Sequence, residues 1–201
     1  MSSNHQGVAA KAADGRVRVL EAAWALVAES GAVDVTLSQI AKRAGVSRQA
    51  IYLFFGNRAG LLVEMTRHRD AKSGISRRFL RAIHERTATR ALEQAVRTWF
   101  LYIPEIYPVA LALAAAATSD AEAAAAWKDR MDAMHKLSLN LATRLDTEGM
   151  LASGWTAARA ADYIYAQAHF TTWYHLVIER GWPPDMAVGH VVAGLKAALL
   201  R

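Results

Sequence analysis

Thr36-Leu37-Ser38-Gln39-Ile40-Ala41-Lys42-Arg43-Ala44-Gly45-Val46-Ser47-Arg48-Gln49-Ala50-Ile51 is the stretch on which the reading of this chain turns. Thr36 followed three residues later by Gln39 is a capping box: the hydroxyl takes the N3 amide and the Gln39 side chain reaches back. It predicts a helix over 37–44. Gly45 breaks that helix, because glycine enters the left-handed region without a Cβ clash. Ser47 then caps a short helix over 48–54. Ala41 is small enough for the two helices to approach closely, and Val46 and Ile51 pin the turn to a core. Two short helices joined in this way form a helix-turn-helix, whose second helix lays its N-terminal residues on base edges of the major groove. Here those residues are Ser47, Arg48, Gln49 and Ala50. Arginine can bind guanine O6 and N7, glutamine can bind adenine, and alanine can touch a thymine methyl. Thr36, at a helix N-terminus, can offer its hydroxyl and backbone N–H to a phosphate. Tyr52 and Arg58 are placed to hold the flanking DNA backbone. On pattern alone, the stretch also fits an ordinary helical corner with a glycine turn.

Working outward, Val17, Leu20, Trp24 and Val27 recur at helical spacing and predict a first helix over 16–30. Gly31 stands where a left-handed C′ glycine would close it. Residues 1–14 are small, polar and aperiodic, and read as a disordered tail. Downstream, Gly56-Asn57 is a turn and Asn57 caps a fourth helix into the eighties, with a bend at Gly74. Leu92 to Ile103 reads as a fifth helix stopped by Pro104, and Pro108 opens a sixth to about Thr118. Ser119-Asp120-Ala121-Glu122 is a second capping box, opening a seventh helix to about Glu148. After a loop over 149–154, an eighth helix spans 155–180. Pro183 and Pro184 open a ninth that runs to the C-terminus. The implied architecture is all-α with about nine helices: a tail over 1–14, a head over 15–62 and a second domain over 63–201.

Composition narrows the function classes. The chain has 201 residues, 24 Lys and Arg, 18 Asp and Glu, and no cysteine. Disulfides, thiolate nucleophiles and Cys-type metal sites are thereby excluded. No apolar signal-like run opens the chain. The longest apolar run, Val109 to Ala117, is shorter than the roughly 20 residues that span a bilayer. The chain is expected to be soluble and cytoplasmic. Residues 1–90 hold 15 Lys and Arg against 7 Asp and Glu, whereas residues 91–201 hold 9 against 11. A basic first part on a near-neutral remainder fits a polyanion partner for the first part, and also a plain solvated surface. The seven histidines form no paired ligand spacing, and no triad order, phosphate loop or carboxylate pair stands out. No metal, cofactor or enzymatic activity is expected.

Residues 16–62 resemble the N-terminal DNA-binding domain of the tetracycline-repressor (TetR) family. Ala22-Ala23-Trp24-Ala25-Leu26-Val27-Ala28-Glu29-Ser30-Gly31 is similar to the family's first helix, and Thr36 to Ser47 to its helix-turn-helix signature. Ile51-Tyr52-Leu53-Phe54-Phe55-Gly56-Asn57-Arg58-Ala59-Gly60-Leu61-Leu62 is similar to the family segment after that signature. Three positions depart. Leu53 stands where the family usually has a polar or basic residue, which implies a lost contact or an apolar one with a thymine methyl. Arg58 replaces a usual lysine. Ala59-Gly60 replaces residues that are usually acidic, removing charge that favours a helix N-terminus.

The resemblance further implies a homodimer paired through the last two helices, a palindromic DNA operator, and a small effector held between helices four and eight. The residues supply candidates for each. The predicted eighth helix is apolar nearly all round, with Ala161, Tyr165, Ala168 and Leu176 on one broad side. The ninth carries Val188, Val192, Leu195 and Leu199 in one stripe. These eight are the expected dimerisation residues. Trp99, Tyr102, Ile103, Tyr107, Trp127, Met131, Met134, His135 and Phe170 are the expected effector-lining residues, because aromatics and methionines suit an adaptable apolar cavity. Each of them also fits plain core filling. The combined reading is a homodimeric repressor released from its operator by a small apolar effector. The rival is a DNA-binding regulator without such an effector, its C-terminal domain serving dimerisation or protein contacts.

Overall fold

The computed structural model describes residues 3–30 and 35–201, which form helices joined by short turns. In chain order these are α1 (Ser3–Ser30), α2 (Leu37–Ala44), α3 (Arg48–Phe55), α4 (Arg58–Ser73), α5 (Ile75–Ile83), α6 (Ala88–Ala116) and α7 (Ala121–Thr147). They are followed by α8 (Ala157–Ala168), α9 (Phe170–Trp173), a π-helical segment (Tyr174–Glu179) and α10 (Pro184–Leu199). The protein is all-α. The single β pairing among the described residues is an isolated bridge between Leu151 and Leu200.

Two compact units are present. One comprises Met1–Lys72 with Ile106–Trp127, and the other Ser73–Glu105 with Lys128–Arg201. These units do not follow the expected division at 62/63: residues 106–127 pack with the N-terminal residues. The reason is apolar packing. Val109, Leu113 and Ala123 share a core with Val19, Leu20, Ala23 and Val27 of α1. Ile40 and Ala41 of α2, Ile51 and Phe55 of α3, and Leu61, Leu62 and Met65 of α4 complete that core. Each large side chain so buried contributes about 1.5–3 kcal/mol.

The second unit buries Leu92, Val96, Phe100 and Ile103 of α6 and Leu141 and Leu145 of α7. With them lie Ile164 of α8 and Val188, Val192, Leu195 and Leu199 of α10. Arg144 stitches its corner. Its guanidinium donates to the carbonyls of Ile83 (2.9 Å) and Glu85 (2.7 Å) and to Glu148 (2.9 Å). Glu148 in turn accepts from the Ala88 amide at the start of α6 (2.8 Å).

Several helix boundaries differ from the sequence reading. Residues 3–14 continue α1 rather than forming a disordered tail, in keeping with the helix propensity of Ala9-Ala10 and Lys11-Ala12-Ala13. Gly31 lies outside the described residues. Gly74 does interrupt the fourth helix, in the left-handed region at φ 66°, and so separates α4 from α5. Pro104 and Pro108 neither end nor begin a helix; α6 runs through both. Each proline removes one amide donor, at a cost of about 3 kcal/mol. Burial of Phe100, Ile103, Ile106, Val109 and Leu113 on either side offsets that cost. By length and composition α6 could cross a membrane, with a window of mean hydropathy 1.5. Of that window 44% is buried within the protein.

The predicted eighth helix is broken at His169, whose ψ of 145° is extended. The carbonyls released by the break are taken by side chains. Trp99 Nε1 donates to Ala168 O (2.7 Å) and Thr172 Oγ1 to Ala166 O (3.1 Å). Beyond α9 the chain widens into the π-helical segment, where the Arg180 amide reaches His175 O (3.1 Å).

Candidate nucleic-acid interface

Local chemistry places the helix-turn-helix as expected. The Thr36 hydroxyl accepts from the Gln39 amide (3.2 Å), and the Thr36 amide donates to Gln39 Oε1 (2.7 Å). Both halves of the capping box are thus formed. Gly45 sits at φ 65°, and the Val46 amide donates to Ala41 O (3.1 Å), which closes the turn. The Ser47 hydroxyl accepts from the Ala50 amide (3.1 Å) and starts α3.

The faces of α3 then come from helical spacing. Ile51 and Phe55 are buried; Ser47, Arg48, Gln49, Tyr52 and Leu53 are solvent-facing to differing degrees, and Ala50 is half-buried. The expected base-reading residues therefore share one outward surface. Leu53 is 80% exposed, the highest value among the large apolar side chains of the described residues.

The cations divide sharply. Arg16 pairs with Glu64 (2.6 Å) and stacks over Phe55, its guanidinium 5.1 Å from the ring centroid. Arg18 is bonded to Asp14 and to Ala44 O. Arg43 makes two bonds to Glu29 (2.6 and 2.8 Å), which hold that exposed carboxyl below the usual glutamate range. Arg58, expected on a phosphate, instead turns inward and donates to the Val35 carbonyl. It borders a small apolar space with Val27, Ile40, Leu61 and Met65. Lys42 and Arg48 are the exposed cations of residues 16–62 that find no partner among the described residues. Sequence reasoning missed Lys42. Its position on the turn of α2 opposite buried Ile40 and Ala44 was the available signal.

Gly60 has a structural cause that the sequence hid. Gly56 lies at φ 73°, ψ −66°, and the Asn57 amide donates back to Phe55 O (2.8 Å), forming a tight three-residue turn. That turn aims Phe55 O at the first turn of α4, and a Cβ on residue 60 would lie 2.1 Å from it. Asn57 caps α4 by accepting from the Gly60 amide (2.8 Å). Glu122, from the first turn of α7, accepts from Asn57 Nδ2 (2.5 Å). It supplies from a distance the negative charge that Ala59-Gly60 lacks. The cap of α7 itself is Asp120, whose Oδ1 accepts from the Ala123 amide (2.8 Å); Ser119 is not the cap expected of it.

The expected effector residues are dispersed. Tyr107 and Trp127 are half-buried in the first unit. In the second unit, Trp99 lies against Tyr102 (centroids 6.3 Å apart) and Phe79 (6.4 Å). Phe170 lies against His169 (4.7 Å), His169 against Tyr165 (5.6 Å), and Tyr165 against His135 (5.7 Å). His135 is bonded to Asp162 (2.8 Å). Met131 and Met134 are half-buried on α7. Tyr102 and Ile103 are each 1% exposed and are core residues in this structure. Burial pushes the His169 pKa down and that of Tyr165 up, the latter with help from nearby Asp132.

The expected dimerisation residues lie mostly inside this chain. Ala161, Ala168, Val188, Val192, Leu195 and Leu199 are buried inside this chain, and Tyr165 and Leu176 are half-buried. An apolar stripe at helical spacing turns first toward its own core. The opposite, exposed face of α10 carries Met186, His190, Ala193, Gly194 and Ala197. A Cβ at Gly194 would meet nothing within 4 Å. The readable signal was the lack of any charge from Met186 to Leu195.

Comparison with known proteins agrees with this geometry. Residues 19–65 match the family model of bacterial regulatory proteins, tetR family. An uncharacterised helix-turn-helix-type transcriptional regulator of Pseudomonas putida, TtgW, is 41% identical over 54 residues; the match covers 27% of this chain and 40% of that protein. A protein from Saccharomonospora viridis, described as a transcriptional regulator and solved with choline, superposes with a TM-score of 0.78. It has 20% identity, over 94% of this chain and 99% of that one. The transcriptional regulator FadR of Bacillus subtilis, solved with stearoyl-CoA, gives 0.72 at 19% identity, over 90% and 97%. NalD of Pseudomonas aeruginosa, the secondary repressor of the MexAB-OprM multidrug efflux pump, gives 0.70 at 21%, over 95% and 98%.

Proposed function

We propose that this chain, a member of the tetR family of bacterial regulatory proteins through its residues 19–65, is a sequence-specific DNA-binding repressor. It acts in the cytoplasm as a homodimer on a palindromic operator and is released by a small apolar effector. The observation that carries this reading is the outward face of α3. Ser47, Arg48, Gln49 and Tyr52 stand on the solvent side of a short helix that is capped at its start and held by a left-handed Gly45.

In the major groove, Arg48 pairs with guanine O6 and N7, Gln49 with adenine, and Ala50 with a thymine methyl. Thr36, Ser47 and Tyr52 hold phosphates, and Lys42 joins them in place of Arg58. The exposed, uncharged face of α10 is the pairing surface, with Gly194 admitting close approach of a second copy. A twofold dimer sets the half-sites about one helical turn apart. The aromatic side chains around Trp99 and Phe170 favour an apolar effector; among the ligand-bound relatives the stearoyl chain of stearoyl-CoA is apolar, whereas choline is a cation. Such a ligand acts by binding the DNA-free arrangement more tightly than the DNA-bound one.

A regulator without a small effector is the second reading. It is favoured by the near-complete burial of Tyr102 and Ile103 and by the satisfied indole of Trp99, all of which suit a filled core.

Selection from a random duplex library at near-physiological salt tests the proposal. The expected winner is a palindrome bound at least roughly 10³-fold tighter than scrambled DNA. Arg48→Ala should cost about 1–3 kcal/mol on that duplex and relax one position. With Lys42 as the one phosphate-holding cation of each head, two in the dimer, the slope of log affinity against log salt should be about −2. Absence of any enriched sequence would reject the reading.

A further inference from the structure

We propose that Leu53 is a specificity-determining residue that reads a thymine methyl in each half of the DNA site; this rests on the DNA-binding function proposed above. Leu53 lies four residues beyond Gln49, so the two side chains project from the same side of α3. The first five residues of α3 plus its cap supply the polar readers, and Leu53 extends that surface by one helical turn. It is 80% exposed, and Ile51 and Phe55, two residues to either side, are buried, so the backbone positions Leu53 outward while those two anchor the helix.

A leucine held in water forgoes the stabilisation that burial would bring. A DNA groove offers one apolar partner for it. The thymine C5-methyl is the apolar group on base edges in the major groove, and phosphates and sugars offer oxygen. The charge distribution around it points the same way. Arg48 is the one charged residue of α3, and Arg16, Arg18, Arg43 and Arg58 are engaged within the head. Phosphate attraction then rests mainly on Lys42, and direct contacts with base edges take a larger share of the affinity. Ala50 is half-buried and one turn closer to the start of the helix, so it cannot cover the same base step.

The test uses the full chain and the duplex recovered by selection. Each thymine of a half-site is replaced in turn by deoxyuridine, which lacks only the C5-methyl. The wild-type protein should lose about fourfold in affinity at one thymine, and about fifteenfold when both half-sites are changed. Leu53→Ala should bind the thymine and deoxyuridine duplexes equally at that step, while keeping the wild-type response to every other replacement. An unchanged thermal midpoint is expected, since the side chain touches little of its own chain. Wild-type indifference to all replacements, or the same loss in Leu53→Ala as in wild type, would overturn the role of Leu53 and leave the DNA-binding reading standing. Failure to select any duplex would overturn both.

Discussion

The helix-turn-helix head and the rest of the chain obey different rules at their helix ends. In the head, Thr36, Gly45, Ser47 and Asn57 each stop or start a helix where a local hydrogen bond or a positive φ requires it. In the second part of the chain, α6 runs through Pro104 and Pro108, while α8 stops at His169 without any proline or glycine. Length explains the contrast. Helices of eight residues are marginal by themselves and depend on their caps. A helix of 29 residues buries enough apolar surface to absorb two missing donors. Where α8 breaks, a side chain of that long helix compensates: Trp99 takes the released Ala168 carbonyl.

Substitutions can break this contrast or sharpen it. The largest effect is expected from Gly60→Ala, which sets a Cβ against the Phe55 carbonyl and should destabilise the head by about 3 kcal/mol in urea unfolding. Gly194→Ala, in open space on α10, should leave the fold unharmed; equal losses in the two variants would erase the distinction. Arg144→Ala strands the Ile83 and Glu85 carbonyls and the Glu148 carboxylate. It should cost about 2 kcal/mol, concentrated as faster amide exchange at the start of α6. Thr36→Ala removes one cap and should cost about 1 kcal/mol, with weaker DNA binding because α2 frays beside the recognition helix. A change of only a few tenths would mean that packing, not the cap, holds α2.

The smallest effect separates the units by pH. Burial lowers the His169 pKa in the fold, so the unfolded chain takes up that proton first. The stabilisation from its neutral form is full above about pH 6.5 and is lost as pH falls toward the lowered folded value. The head's Glu21 is held below the usual range by hydrogen bonds from His68 and then Lys72. Its contribution persists until pH drops below about 4.5 and fades through the folded pKa. Mild acidification should therefore loosen amides around α8 and α9 before those around α1. His169→Asn should flatten that early response, and simultaneous loosening of both regions would contradict the assignment.

Legibility splits along the same divide. The helix-turn-helix, its caps and the outward set Ser47, Arg48, Gln49 and Tyr52 are readable because each depends on residues within four positions. Arg58 misleads because its partner, the Val35 carbonyl, lies 23 residues away and a cation carries no mark of where it turns. Ala161, Val188, Val192, Leu195 and Leu199 turn to their own chain's core, and an apolar stripe does not say whose core it fills. Glu122 reads as part of a cap, yet it reaches Asn57, 65 residues away in sequence.

The sequence by itself determined the all-α class, the helix-turn-helix and the outward polar residues of its second helix, since capping, glycine turns and helical period act over a few residues. Only the tertiary structure decided that residues 106–127 join the first core, that two prolines sit inside one helix, and that most head arginines are engaged internally. It also decided which face of α10 stays exposed. Those outcomes depend on side chains distant in sequence competing for the same carbonyls, carboxylates and apolar surface, and that competition is settled only when the chain has packed.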